Sequence, residues 1–288
     1  MAPKKTRKPA PSLAVDLKGE SVHWDFRNAM SYGDYLGLRD LLACQRPLSG
    51  AHDEMLFIVI HQSSELWIKL CLHEIAGAIR QIRADDLGPA FKMMARIARV
   101  QAQLIQSWEI LSTMTPFDYA SFRDSLGRSS GFQSYQYRMM EYRLGNKNAA
   151  MSRVFESDNV LAGQVRAALN EPSIYDESLA LLARRGLKIP KNKLKRDFSQ
   201  PYVADHRVTD AWRHVYRDAE THWDLYELAE KLVDLEYRFH LWRFSHMKTV
   251  ERIIGSKSGT GGTSGVSYLK KALDLTFYPE LWAVRSEI

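Results

Sequence analysis

His61 lies in FIVIHQSSELWIKL, a titratable group set into the most apolar segment of a 288-residue chain. Phe57 precedes it by four residues, so both side chains leave one helical face. His246 lies 185 residues further on, in RFHLWRFSHMKTVERII. Taken singly, each reads equally well as an ordinary core histidine. Taken together, on two different helical elements, they suit the two sides of a haem, one as axial iron ligand and one as distal group. The other seven histidines are His23, His52, His73, His206, His214, His222 and His240. None completes an H-E-x-x-H zinc helix. Glu65 is one turn from His61, but no third zinc ligand can be identified.

Two loops add further chemistry. The segment TPFDYASFRDSLGRSSGFQS places Arg123 beside Phe122 and near Tyr119. A guanidinium next to aromatic rings can clamp a carboxylate through two parallel hydrogen bonds. It can equally bind loop carbonyls. The run GSKSGTGGTSG has five glycines in eleven residues from Gly255. It contains no Gly-Lys pair and follows a helical pattern, so neither a P-loop nor a dinucleotide turn fits. A loop that closes over a ligand and a plain linker both remain open.

These groups must be held by helices. From Met30 onward helical patterns hardly stop. Residues 52–83 contain no proline and one glycine, and read as a buried helix. A second helix is expected from Pro89 to Met114, with Val100, Leu104, Trp108 and Leu111 on one face. Residues 210–254 lack glycine and proline altogether. They read as one very long helix or two nearly collinear ones. No run of alternating β-branched residues bounded by turns is found. The expected fold is all-α, a bundle of long helices. The expected organisation is a basic flexible tail over 1–20 and a single domain over 21–288, with a small helical insertion at about 150–205.

Composition narrows the function classes. The chain is 45% hydrophobic, 26% charged and 11% aromatic, which is ordinary globular composition. The longest unbroken apolar run, Met55 to Ile60, falls far short of a membrane span. The N-terminus is basic and Pro-rich, without the apolar core of a secretory signal. Two cysteines, Cys44 and Cys71, provide no disulfide framework. A reduced, cytoplasmic protein with no membrane partner is expected. Net charge is +6, and Lys4, Lys5, Arg7 and Lys8 carry four of it, leaving a body of about +2. No nucleic-acid partner is expected from so balanced a body.

Four segments, in order, carry a resemblance. They are SYGDYLGLRDLLACQRPLS from Ser31, HDEMLFIVIHQSSELWIKL from His52, FRDSLGRSSGFQSYQYRMMEYRLGNK from Phe122 and WRFSHMKTVERIIGSKSGTGGTSGVSYL from Trp242. The sequence resembles the tryptophan 2,3-dioxygenase family along nearly its whole length, the N-terminal tail excepted. The resemblance implies an all-α homotetramer, a dimer of dimers, binding haem b with iron ferrous in the active state. The implied reaction inserts both atoms of O2 across the indole C2–C3 bond of L-tryptophan, giving N-formyl-L-kynurenine.

The resemblance also implies roles residue by residue. His246 corresponds to the axial haem ligand and His61 to the distal histidine that meets the indole N–H. Phe57 corresponds to a wall of the indole pocket. Arg123 corresponds to the carboxylate clamp, with Tyr119 beside it, and Thr260 to the group meeting the substrate's ammonium and carboxylate. Ser130 and Gly131 fall in the haem-side loop. Tyr32, Tyr35 and Leu36 match a segment that enters a neighbouring subunit's pocket. Competing expectations are a haem monooxygenase acting on a tryptophan derivative, a haem-based sensor without turnover, and a basic-tailed nucleic-acid binder.

Overall fold

The computed structural model describes residues 15–288. Residues 1–14, most of the expected basic tail, lie outside the described residues. The chain divides into two units at Gln45–Arg46. In the first, α1 (Tyr32–Leu36) and α2 (Leu38–Leu41) are joined through Gly37 at φ 60. Ser31 and Asp34 form a reciprocal capping box that starts α1. None of the described residues up to Gln45 is buried, and Trp24, Met30, Tyr32 and Tyr35 are each more than 70% exposed.

The second unit is built from α3 (Asp53–Arg83), α4 (Leu87–Leu111), α5 (Pro116–Phe122), α6 (Tyr135–Leu144), α7 (Asn159–Asn170), α8 (Ile174–Arg184), α9 (Lys191–Leu194), α10 (His206–Arg217), α11 (Trp223–Ile254), α12 (Val266–Leu273) and α13 (Pro279–Val284). No strand occurs among the described residues. The expected all-α class is what the chain adopts.

Three long helices carry the core: α3 packs on α4, and α4 on α11. The buried positions of α4 include Leu87, Ala90, Met94, Ile97, Gln101, Leu104, Trp108 and Leu111. Their steps of three and four are those of a seam that stays on one face along the whole helix. The polar member, Gln101, donates from Nε2 to the carbonyl of Leu235 on α11 at 3.1 Å. The seam thus ties the buried amide to its neighbour. Gly77 permits the α3–α4 approach, since a Cβ there would lie 2.7 Å from Met93 Sδ. By length and composition α3 is apolar enough to cross a membrane. Its C-terminal half nevertheless supplies Ile68, Cys71, Ile75, Ala78, Ile79 and Ile82 to the bundle core.

The helix-like stretch 210–254 is two helices. α10 begins earlier than expected, at His206, and stops at Arg217; α11 begins at Trp223. Nothing in Asp218-Ala219-Glu220-Thr221-His222 forbids helix. Packing decides the break, because α10 lies against α13 while α11 lies against α4. Within 150–205, α8 belongs to the main core through Ile174, Tyr175, Leu179, Leu181 and Leu182. Helix α7 closes a separate small core with Tyr142, Phe155, Val165, Ala168 and Leu169.

Lys147 ties that small core to the body. It is 2% exposed, and its ammonium donates to the carbonyls of Ala168 (2.8 Å), Leu169 (3.0 Å) and Glu171 (2.7 Å). These carbonyls close α7, where the helix has no partners of its own for them. Lys147→Met keeps the stem and strands the acceptors. The expected loss is about 3 kcal/mol, seen as a Tm lowered by roughly 5–10 °C. An unchanged melting curve would contradict this account.

Candidate functional site

One cavity of about 300 Å³ is walled by α3, α4, α5, α6, α11, α12 and the two loops that sequence marked out. Phe57, His61, Ser64, Glu65 and Ile68 line it from α3. Their spacing of four, three, one and three places them on one face. Trp242, His246, Thr249, Val250 and Ile253 do the same from α11. The two histidines therefore meet in one cavity, and each keeps only the exposure that the cavity allows.

The His61 ring fixes its own tautomer. Nδ1 lies 2.7 Å from the Phe57 carbonyl. A carbonyl only accepts, so Nδ1 carries the hydrogen and Nε2 is left as a bare acceptor. Burial pushes the His61 pKa down, against smaller opposing contributions from that carbonyl and from Glu65. Burial, with a further push from His61, takes His246 down to about 4. Both rings are neutral at pH 7.

Aromatic rings surround the pair. Phe57 packs on His61 with centroids 4.1 Å apart, and also lies within 5.6 Å of Phe122 and 6.1 Å of Tyr119. Trp108 stacks on His246 at 4.6 Å and 19°. The pattern on α4 marked Trp108 as core; it is also cavity wall.

A polar cluster closes another part of the wall. Glu141 pairs with Arg138 and accepts from Arg243 Nη2 at 2.6 Å, Tyr137 Oη at 3.0 Å and Asn146 Nδ2 at 3.2 Å. All of these residues line the cavity. Two guanidinium groups face one carboxylate, which leaves one buried positive charge. Arg138 Nε has no partner among the described residues. Sequence reasoning missed this cluster. Its only trace was Arg243 one turn before His246, a charge on the buried face of a helix.

The two loops lean on each other. Thr260 Oγ1 donates to the Ser129 carbonyl at 2.5 Å. A Cβ on Gly261 would lie 2.7 Å from Ser130 Cβ, so only glycine allows this approach. Ser130 and Thr260 line the cavity, as do Gly131 and Tyr119. Arg123 does not reach its wall. Its guanidinium donates to the Ser258 carbonyl at 2.7 Å, two residues before Thr260. Tyr32, Tyr35 and Leu36 belong to the first unit and are exposed there.

The fold and site together define a class: an all-α protein whose long helices bring two neutral histidines and a tryptophan-rich wall onto one cavity. The model of the tryptophan 2,3-dioxygenase family matches residues 18–169 and 213–288. A tryptophan 2,3-dioxygenase from Polaromonas sp. is 56% identical over 269 residues, 93% of this chain and 92% of that protein. One from a strain of Bacillus cereus is 56% identical over 93% of this chain and 96% of its own length. One from Bordetella parapertussis is 54% identical over the full length of both. The chain belongs to the tryptophan 2,3-dioxygenase family.

Proposed function

We propose that this protein binds haem b through His246 and inserts both atoms of O2 across the C2–C3 bond of L-tryptophan, releasing N-formyl-L-kynurenine. Family membership supports the reaction. The observation that carries the site is the meeting of His61 and His246 in one aromatic cavity. The residues present fit a haem. His246 is a half-buried, neutral imidazole on the cavity wall, the protonation state that ligation needs. No three His, Cys, Asp or Glu side chains cluster among the described residues to hold a bare ion. A metal on His246 would therefore bring most of its own coordination, as a macrocycle does. The surplus positive charge of Arg138 and Arg243 over Glu141, with Arg138 Nε unpartnered, suits the acidic side chains of such a macrocycle.

His246 would hold the haem iron, and the haem when bound would supply the O2 and electron chemistry. The protein's part is orientation. His61 Nε2 accepts the indole N–H and so sets which ring edge faces the oxygen. Phe57 and Tyr119 wall the ring. Arg123 takes the carboxylate by turning from the Ser258 carbonyl, and Thr260 meets the ammonium and carboxylate. The closed Gly-rich loop excludes water. The substrate supplies the electrons, so no reductase takes part in turnover. We place the enzyme in the cytoplasm as a homotetramer. The bare apolar surface of Tyr32, Tyr35 and Leu36 suits a segment that docks into a neighbouring subunit's pocket.

The test is one aerobic cuvette with haem-loaded, reduced protein and L-tryptophan. The expected result is a Soret band and a product of tryptophan mass plus two oxygen atoms. A product carrying one added oxygen would overturn the reaction, and absence of any Soret band would overturn the cofactor.

His61→Ala is expected to keep haem and part of the activity, since one neutral hydrogen bond is worth about 1 kcal/mol and its loss about fivefold in kcat/KM. The acid limb of the parent's kcat/KM, where a protonated His61 ring can no longer accept, should be centred below 6.5, because burial holds the His61 pKa below that ordinary value. A limb centred at or above that ordinary value would refute the assignment.

A further inference from the structure

An axial histidine is ordinarily oriented by a hydrogen bond from its second ring nitrogen to a carboxylate, a backbone carbonyl or water. In this chain ring contacts also bear on the orientation of His246. Trp108, from the neighbouring helix α4, lies face to face with its imidazole at 4.6 Å and 19°. Trp242, one turn earlier on α11, stands 5.6 Å from the same ring at 32° and 5.6 Å from Trp108 at 51°. The three rings thus form one cluster, with the imidazole against the face of Trp108 and the flank of Trp242.

Trp108 is fixed from behind. It is 7% exposed and occupies the α4 seam between Leu104 and Leu111, the seam that packs on α11. Its rotamer therefore moves only if the α4–α11 contact moves. The Nε1 hydrogens of Trp108 and Trp242 are both buried without an acceptor among the described residues. Ring stacking on His246 accounts for an aromatic residue at position 108.

We propose that Trp108 is the positioning residue for the axial imidazole: its indole face sets the rotation of the His246 ring by stacking. The inference rests on His246 being the iron ligand. Loss of the stack frees the ring to rotate without removing the ligand.

The experiment compares the haem-loaded parent with Trp108→Phe, Trp108→Met and Trp108→Leu, each confirmed as helical by circular dichroism. The readouts are the iron–histidine stretching band of the reduced protein and the rate of haem transfer to an apoglobin acceptor. The phenyl ring retains a face, so Trp108→Phe is expected to keep the band. Trp108→Met and Trp108→Leu are expected to broaden or shift it and to speed haem release about tenfold. At least one of these two aliphatic variants should fold, because a methionine fills irregular space. An unaltered band and release rate in a folded aliphatic variant overturns the role of Trp108. A parent that shows no iron–histidine band overturns the ligand assignment itself, so the two failures are distinct.

Discussion

Replacing His246 by alanine is expected to reduce tryptophan oxidation by at least about a thousandfold, or some 4 kcal/mol of transition-state stabilisation. The reduced protein should also lose its iron–histidine band. The size follows from the site: no second imidazole on the α11 face lines the cavity to substitute, and the Glu141 carboxylate is engaged by Arg138 and Arg243. The helix should persist, because the ring is held by stacking and not by hydrogen bonds that would be stranded. The variant also has a signature without cofactor. In the parent apoprotein the His246 pKa sits at about 4, below the ordinary 6.5. As pH falls through 6.5 the unfolded chain takes up a proton that the folded chain refuses. Stability is therefore full above that value and drains away down to about 4, by about 3 kcal/mol. His246→Ala should lack that contribution to acid sensitivity. A variant that keeps both the band and turnover would remove the keystone of the proposed site.

Arg123→Ala should lower kcat/KM for L-tryptophan by roughly a hundredfold or more, mostly through KM, as expected when a charge-assisted fork is lost from a carboxylate. Arg123→Lys should recover only part of this, because the ammonium is a point charge without the planar pair of donors. The decisive comparison is with tryptamine, which has no carboxylate. The parent should strongly prefer tryptophan, and Arg123→Ala should erase most of the preference. An undiminished preference would mean that Arg123 serves only the loop carbonyl of Ser258 that it holds at 2.7 Å. Through that contact Arg123 stands outside the cavity wall with its fork turned toward the Gly-rich loop. Arg123 and the Gly-rich loop are joined through this hydrogen bond before any ligand arrives.

The all-α class and the spans of α3 and α4, to within a few residues, could be read directly, because apolar residues recurring every three or four positions can be buried only by a helix. His61 was legible as a polar group amid FIVIHQSSELW, and Phe57 as its same-face neighbour. The roles proposed for Thr260 and the Tyr32–Leu36 segment come only from motifs shared with a family, whereas Arg123 was also readable as a guanidinium beside aromatic rings that could clamp a carboxylate or bind loop carbonyls. The break at 218–222 was not legible, since its residues do not forbid helix and the competition between α13 and α4 for packing ended it.

Local periodicity and motif order were enough for the all-α class, the spans and buried faces of α3 and α4, and the family. Only tertiary structure decided that His61 and His246 share one cavity, that Trp108 lies flat on His246, and that two arginines converge on Glu141 from α6 and α11. The reason is physical. A helix fixes which side chains share its own face, but the distance between faces of different helices is set by how their seams interlock. No local signal encodes that distance.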